Sequence, residues 1–302
     1  MRVFITGGTG FVGTALSRQL VAQGHQVSIL TRNVSKDRTL PHGLNLIQGD
    51  PTKKGPWQDQ AAGYDVCINL AGASIFRRWN KKAKTLMRES RLQTTRNLVA
   101  ALAVRKGRDT VLLSTSAVGY YGFHENEILD EGSPPGDDYL ANLARDWEKE
   151  ALRAEQYGVR VLICRFGIVL GRGGGALGQV VPLFRKGLGS ALGSGNQWFS
   201  WIHEQDLVNI FPFLIEQKDL SGPINLTAPE PVTNTAFTKA LGRALGMPTF
   251  LPAVPGFVLK MVKGEFGTFL LNGQRIIPKR LIDAGFRFQF PAIQEALDGL
   301  LK

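Results

Sequence analysis

The sequence predicts an α/β protein: a doubly wound parallel sheet with helices on both faces, followed by a smaller C-terminal cap segment. Three observations carry this expectation. Short apolar segments alternate with helical patterns through most of the chain. Those segments are close to continuously apolar, as strands buried on both faces must be. The first of them, Arg2–Thr6, runs straight into glycines at positions 7, 10 and 13 and then into a helical pattern, which is how a βαβ unit begins. At 302 residues the chain is long enough to bury one large core and carry an appended segment.

The elements follow in order. After the glycine turn, Val12, Leu16 and Leu20 recur at helical spacing until Gly24, a residue suited to end a helix. Strands are expected at Gln26–Thr31, Leu44–Gln48, Asp65–Leu70, Thr110–Thr115 and Arg160–Cys164, with helices at Ser90–Leu102 and Tyr139–Glu155. Beyond Gly167 the texture changes. Glycine-rich stretches at Gly171–Gly175 and Gly187–Gly195 flank the apolar Gln179–Phe184, and Trp201–Asp206 leads into an apolar helix, Leu207–Ile215. Pro223–Thr227 reads as a late strand, Thr235–Leu245 and Phe257–Val262 as helices, and Gln274–Arg280 as a basic segment. The expected division is residues 1–225 as the nucleotide domain, with its substrate-side loops at 170–205, and residues 226–302 as an integral cap.

Composition removes several function classes. No apolar run reaches the roughly 18 residues of a membrane span, and the N-terminus lacks the pattern of a signal peptide. Cys67 and Cys164 both sit inside apolar runs, as buried core thiols do; a cytoplasmic setting is expected, with no metal centre. The net charge of +11 raises the question of nucleic acid. Its densest part is a helical stripe, Lys81, Lys84, Arg88 and Arg91, read as a solvated face with one end available to a dinucleotide phosphate. No zinc-finger spacing, aromatic RNA-binding motif or basic tail accompanies it, so neither nucleic acid nor a membrane is an expected partner.

Glycines between a strand and a helix let the backbone approach a pyrophosphate, whose charge then meets the free N–H groups at the helix start. The candidate contacts are Gly7, Thr9, Gly10, Phe11, Val12 and Gly13. The second strand ends at Thr31, Arg32 and Asn33, and no acid occurs from Gly24 until Asp37. An acid there would serve the ribose 2′-hydroxyl of NAD, whereas an arginine suits the 2′-phosphate of NADP. NADP is therefore the expected cofactor. Leu70, Ala71 and Gly72 close the fourth strand with small residues that leave room for a cofactor edge.

The segments ITGGTGFVG, TRN, INLAGA, RRWN, SRLQTTRNL, the Gly119–Gly122 turn, Asp146-Trp-Glu148, RFGIVLGRGGGALG, GSGNQWFSWIH and IIPKRL together resemble the extended short-chain dehydrogenase/reductase superfamily. The likeness is closer to an atypical branch of epimerase-family proteins, the YfcH-like type, and it covers essentially the whole chain. The resemblance implies a Rossmann domain carrying NADP and a small-molecule substrate, such as a nucleotide-sugar, bound between that domain and the cap. It adds Arg91, Ser114, Arg165 and Val169 to the cofactor-binding candidates.

The chain departs from the family in its chemistry. Typical members use a tyrosine activated by a lysine four residues downstream. Of the five tyrosines, Tyr64, Tyr120, Tyr121, Tyr139 and Tyr157, none has a lysine at that spacing. Aligned on Glu148, Leu140 and Ala144 fall where the pair belongs. Ser116 occupies the family's serine position, and Tyr120 and Tyr121 are the nearest phenols, so these three are the catalytic candidates. His124 and His203 are weaker ones. Two functions are consistent with this set: an NADP-dependent oxidoreductase or epimerase with a substitute acid, and a non-catalytic NADP(H)-binding sensor.

Overall fold

The computed structural model describes residues 1–34, 41–105 and 109–302. Its centre is a seven-stranded parallel sheet made of β1 (Arg2–Thr6), β2 (Gln26–Thr31), β3 (Leu44–Gln48), β4 (Val66–Asn69), β5 (Val111–Ala117), β6 (Arg160–Phe166) and β7 (Gly222–Leu226). Their order is β3-β2-β1-β4-β5-β6-β7. The winding therefore reverses between β1 and β4, which leaves a crevice at their carboxyl ends, the place where such sheets bind ligands. Alternation along β1 shows why both faces are covered. Val3 and Ile5 pack into the cluster of Leu16, Leu20, Leu207, Phe211 and Leu214. Phe4 points the other way, into Trp57, Leu98, Leu102 and Ala151.

Four helices position the crevice: α1 (Phe11–Ala22), α2 (Lys81–Leu102), α3 (Tyr139–Leu152) and α4 (Glu204–Glu216). Three of them start at side-chain caps. Asn80 accepts from the Ala83 amide, Asp138 from the Leu140 and Ala141 amides, and His203 from the Gln205 amide. Helix α2 begins nine residues before the expected Ser90, because its first turns carry cations and only Ala83 and Met87 as buried anchors. The basic stripe from Lys81 to Arg91, helical by its spacing, is thus the N-terminal half of this helix.

The loop region also contains more order than its glycines suggest. Ile168–Gly171 pairs in parallel with Trp201–His203 and antiparallel with Gly174–Gly175, and Leu177–Arg185 is helical. Beyond β7 the chain returns to the crevice: Arg275–Ile276 pairs in parallel with Ile128–Leu129. Helix Asn234–Leu245 packs with Ile293–Leu301 in one apolar cluster. The Asp206 carboxylate accepts the Gln289 and Phe290 amides at 2.7 and 3.0 Å, tying the C-terminal segment to α4. Among the described residues no helix is long and apolar enough to cross a membrane. No group of three or more His, Cys, Asp or Glu in them could hold a metal.

Candidate functional site

The turn between β1 and α1 is shaped by contacts that admit no side chain. Gly7 has φ +72°, and a Cβ there would lie 2.7 Å from the Leu70 carbonyl carbon and 2.8 Å from the Ala71 nitrogen. A Cβ on Gly13 would overlap the Gly7 carbonyl oxygen and sit 2.6 Å from Gly8 Cα. The turn is thus pressed against the end of β4, and α1 against the turn. Helix α1 starts at Gly10 with no side-chain cap and no acid in its first turn, so its leading N–H groups and its positive end face outward. The Phe11 ring fills the space that side chains at Gly174 and Gly175 would need. The 171–175 loop therefore closes over the turn, beside Val169. Beneath it, the Asn69 carboxamide accepts from Thr6 Oγ1 at 2.7 Å and donates to Thr95 and Ser114, stitching β1, β4, β5 and α2 together.

Two arginines flank this turn without a carboxylate partner among the described residues. Arg32 is exposed beyond β2, next to Thr31, whose hydroxyl accepts the Asn33 amide. Asp37 lies outside the described residues. An acid that the sequence reading overlooked is Asp50, just past β3. Burial works against its charge, but Thr52 and the nearby Arg32 and Lys53 outweigh this and hold its carboxyl below the usual range. Arg91 is half-buried and donates to the Ala73 and Met87 carbonyls at 3.0 and 3.1 Å, with its guanidinium 5.1 Å from the Trp147 ring centroid. Gly72 makes room for it, since a Cβ there would lie 3.1 Å from Arg91 Cζ. Burial pulls Arg91 down to about 10, still charged at neutral pH. Two other members of the basic stripe are spent elsewhere: Lys84 pairs with Glu265, and Arg88 with Asp146 at 2.7 Å. Open backbone N–H groups between two arginines that form no ion pair among the described residues fit a phosphorylated dinucleotide.

On the β5–β6 side the polar groups satisfy one another. Ser116, at the end of β5, donates to Glu148 of α3 at 2.6 Å. Arg165 of β6 grips the same carboxylate through Nε at 2.9 Å and Nη2 at 2.8 Å, and donates from Nη1 to the Tyr121 hydroxyl at 2.9 Å. Tyr121 in turn donates to Asn225 of β7 at 2.7 Å. All five side chains are buried. Burial pushes the Tyr121 phenol up to about 12, although Arg165 and Asn225 pull the other way. Burial also opposes charge on Arg165, but Glu148 outweighs it and the guanidinium is held charged. Glu131 accepts the Asn225 amide at 3.0 Å and lies near the Arg280 amide; burial raises its carboxyl above the ordinary range.

Tyr120 differs from its neighbour. It is half-buried, the Arg165 guanidinium lies 3.5 Å from its ring centroid, and its hydroxyl has no hydrogen-bond partner among the described residues. The structure thus brings Ser116, Tyr120, Tyr121 and Arg165 together, and adds Glu148 and Asn225. Glu148 entered the sequence reading only as an alignment marker, and nothing in the sequence set Asn225 apart.

Among the described residues no lysine amine hydrogen-bonds a tyrosine hydroxyl. Leu140 packs beneath Gly119, and Ala144 is buried. Tyr139 donates to the Lys84 carbonyl at 2.8 Å, while the Lys84 amine lies 4.6 Å from its ring centroid rather than at its oxygen. His203 caps α4 and stacks on Phe290 with ring centroids 3.8 Å apart; burial lowers it to about 4. His124 is tied to Glu127 at 2.8 Å.

The NAD dependent epimerase/dehydratase family matches residues 3–226. The chain belongs to this family. Residues 254–300 match a second family, described as a domain of unknown function, DUF1731. An Arabidopsis thaliana relative, epimerase family protein SDR39U1 homolog, chloroplastic, is 40% identical over 304 residues, covering 100% of this chain and 87% of the relative. Epimerase family protein YfhF of Bacillus subtilis (strain 168) is 37% identical, covering 100% of this chain and 98% of its own. The crystal structure of the human epimerase family protein SDR39U1 (isoform 2) with NADPH superimposes with a TM-score of 0.87 at 36% identity, covering 100% of this chain and 99% of that one. The segments GRGGGALG, GSGNQWFSWIH and IIPKRL, singled out in the sequence, lie within this full-length likeness.

Proposed function

We propose that this protein is an NADP-dependent oxidoreductase or epimerase of the extended short-chain dehydrogenase type, acting on a small molecule, with a nucleotide-sugar as the leading substrate class. The observation that carries the reading is the β1–α1 turn, where close-packed Gly7 and Gly13 and an uncapped helix start stand between Arg32 and Arg91. The human relative crystallised with NADPH supports the same cofactor. Bound there, NADP would supply the hydride acceptor. The glycine turn would hold the pyrophosphate, Arg32 the 2′-phosphate, and Leu70, Ala71 and Gly72 the edge of the nucleotide. Two buried cysteines outside any disulfide, Cys67 and Cys164, support a cytoplasmic setting.

For proton transfer the proposal divides roles among the three candidates. Tyr120 carries the hydroxyl that meets substrate oxygen, since of the three it is the one with no hydrogen-bond partner among the described residues. Ser116 and Tyr121 hold the Glu148–Arg165 pair, which sets the guanidinium against the Tyr120 ring. A neutral phenol can donate a proton to a carbonyl undergoing reduction without being ionised first. The internal saturation of Ser116 and Tyr121 is also what favours the second reading, a sensor that holds NADP(H) without turnover.

The test is equilibrium binding of NADPH and NADH at fixed ionic strength, with wild type and Arg32→Ala. A charge-assisted contact to phosphate is worth roughly 1.5–3 kcal/mol, so the variant should lose about 10- to 150-fold of its NADPH preference. A wild type that prefers NADH, or a variant that keeps the preference, removes the assignment.

A further inference from the structure

Single exposed apolar side chains are ordinary on a protein surface, but one helix gathers several of them. The helix Gly256–Lys263 has no buried residue. Its Val258 and Leu259 are half-buried, and it is pressed onto the cap where a Cβ on Gly267 would lie 2.6 Å from the Leu259 carbonyl oxygen. The other side of the helix is left bare. Phe257, Met261 and Val262 are 72, 67 and 58% exposed, and Phe250, shortly before the helix, is 80% exposed. Holding that much apolar surface together in water is unfavourable, and such a patch marks a face that something covers.

The surroundings of the patch are basic. Phe257 and Met261 stand one turn apart, with Lys260 and Lys263 along one flank of them. The end of the helix abuts a second basic segment. Trp79 bridges to Gly264, a Cβ on Gly264 would lie 3.5 Å from Arg78 Cγ, and the rings of Phe76 and Phe266 are 6.1 Å apart. That segment adds Arg77, Arg78, Lys81 and Lys82, all exposed, and one more exposed ring, Phe76. None of these cations forms an ion pair among the described residues. Residues 70–88 and 246–264 contain no Asp or Glu, and Glu265, next in the chain, is taken by Lys84.

Exposed aromatic and methionine side chains beside unpaired cations complement a partner that is apolar within and negative at its surface. We propose that the helix Gly256–Lys263 and the 76–82 segment form a docking surface for an anionic lipid bilayer. Phe257 and Met261 enter the boundary between headgroups and acyl chains. Lys260, Lys263, Arg77 and Arg78 stay at the level of the lipid phosphates, their stems lying along the apolar surface. A membrane was not an expected partner because no span is present, but a helix lying in the surface plane needs none. The docking surface stands apart from the cofactor turn and does not depend on the reading given to it.

The test is co-sedimentation of the full chain with vesicles of phosphatidylcholine alone and of phosphatidylcholine mixed equally with phosphatidylglycerol. Binding is expected with the mixed vesicles only, and it should fall steeply as sodium chloride shortens the screening length. Phe257→Ser combined with Met261→Ser should weaken the partition about tenfold or more. Lys260→Glu combined with Lys263→Glu should weaken it by about the same factor. All four positions are exposed, and thermal melts check that both variants fold. In Phe257→Trp, brominated phosphatidylcholine in the mixed vesicles should quench the added emission, which locates the contact even if a double variant does not fold. Wild type that does not sediment with the mixed vesicles overturns the proposal and leaves the patch to a protein partner. So does a serine variant that binds as wild type does, or an added tryptophan that the brominated lipid leaves unquenched.

Discussion

Arg91, beside the end of β4, and Arg165, near the end of β6, are treated in opposite ways. Arg165 meets a carboxylate through two donors and a phenol through a third, all buried. Arg91 has two backbone carbonyls and, among the described residues, no carboxylate, beside a helix start with no side-chain cap. One side of the crevice balances its charge internally; the other leaves positive charge uncompensated. A region of the first kind contributes to folding. A region of the second kind is completed by an anion from outside, and its residues should be worth more to binding than to stability.

The contrast fails at once if the balanced side proves dispensable. Removing one member of a buried ion pair strands the other, at a cost of about 3–5 kcal/mol. Glu148→Ala should lose that much in denaturant unfolding, with Ser116 and Arg165 left unpaired. A loss below about 1 kcal/mol would mean that the network is not holding the fold.

The glycine turn combines the two characters. Gly13→Val forces a branched side chain onto the Gly7 carbonyl, so it should cost toward the upper end of the roughly 1–3 kcal/mol typical of overpacking. It should also abolish detectable NADPH binding. Calorimetric melting and nucleotide titration read the two separately, and normal binding by the variant would refute the role given to Gly13.

His203 lets pH probe the balanced side's junction with the C-terminal segment. Its folded value is about 4, against 6.5 for the free side chain. The unfolded chain therefore binds the extra proton between these values, and stability falls as pH drops through that window. Between pH 7 and 5 the loss attributable to His203 should be about 2 kcal/mol. His203→Asn, which keeps an acceptor for the Gln205 amide, should flatten the slope. An unchanged slope would show that other groups carry it.

The smallest expected stability change is the one that sharpens the comparison most. Arg91→Met removes a desolvated charge that has no carboxylate partner, so without nucleotide it should move stability by less than about 1 kcal/mol in either direction. NADPH affinity should nonetheless fall about tenfold or more. A loss of stability comparable to that of Glu148→Ala would erase the distinction between the two sides.

Much of the cofactor side was legible in the sequence because its signals are local. A strand, three glycines and a helix occupy 21 consecutive residues, and Gly7 and Gly13 are demanded by backbone contacts within the turn or with the adjoining strand end. Arg32 follows directly from where β2 stops. Asp50 was missed because it comes near Arg32 only through the pairing of β2 with β3. The other side was legible only in part. Ser116 and the two tyrosines are adjacent in sequence, but their partners come from α3, β6 and β7, up to 104 residues away. The start of helix α2 and the short strand Arg275–Ile276 escaped for a related reason: their apolar anchors are few, and tertiary contacts supply the rest.

The sequence by itself determined the parallel sheet, the glycine turn, the missing tyrosine–lysine spacing and the family. All of these rest on residue type at short range, where period, turn chemistry and spacing act directly. The tertiary structure alone decided which charges are paired. Among the described residues it gave Glu148 to Ser116 and Arg165, left Arg91 and Arg275 without a carboxylate, and turned Tyr121 inward while the Tyr120 hydroxyl found no partner. Pairing depends on which strand ends lie side by side, and a doubly wound sheet brings together segments far apart along the chain.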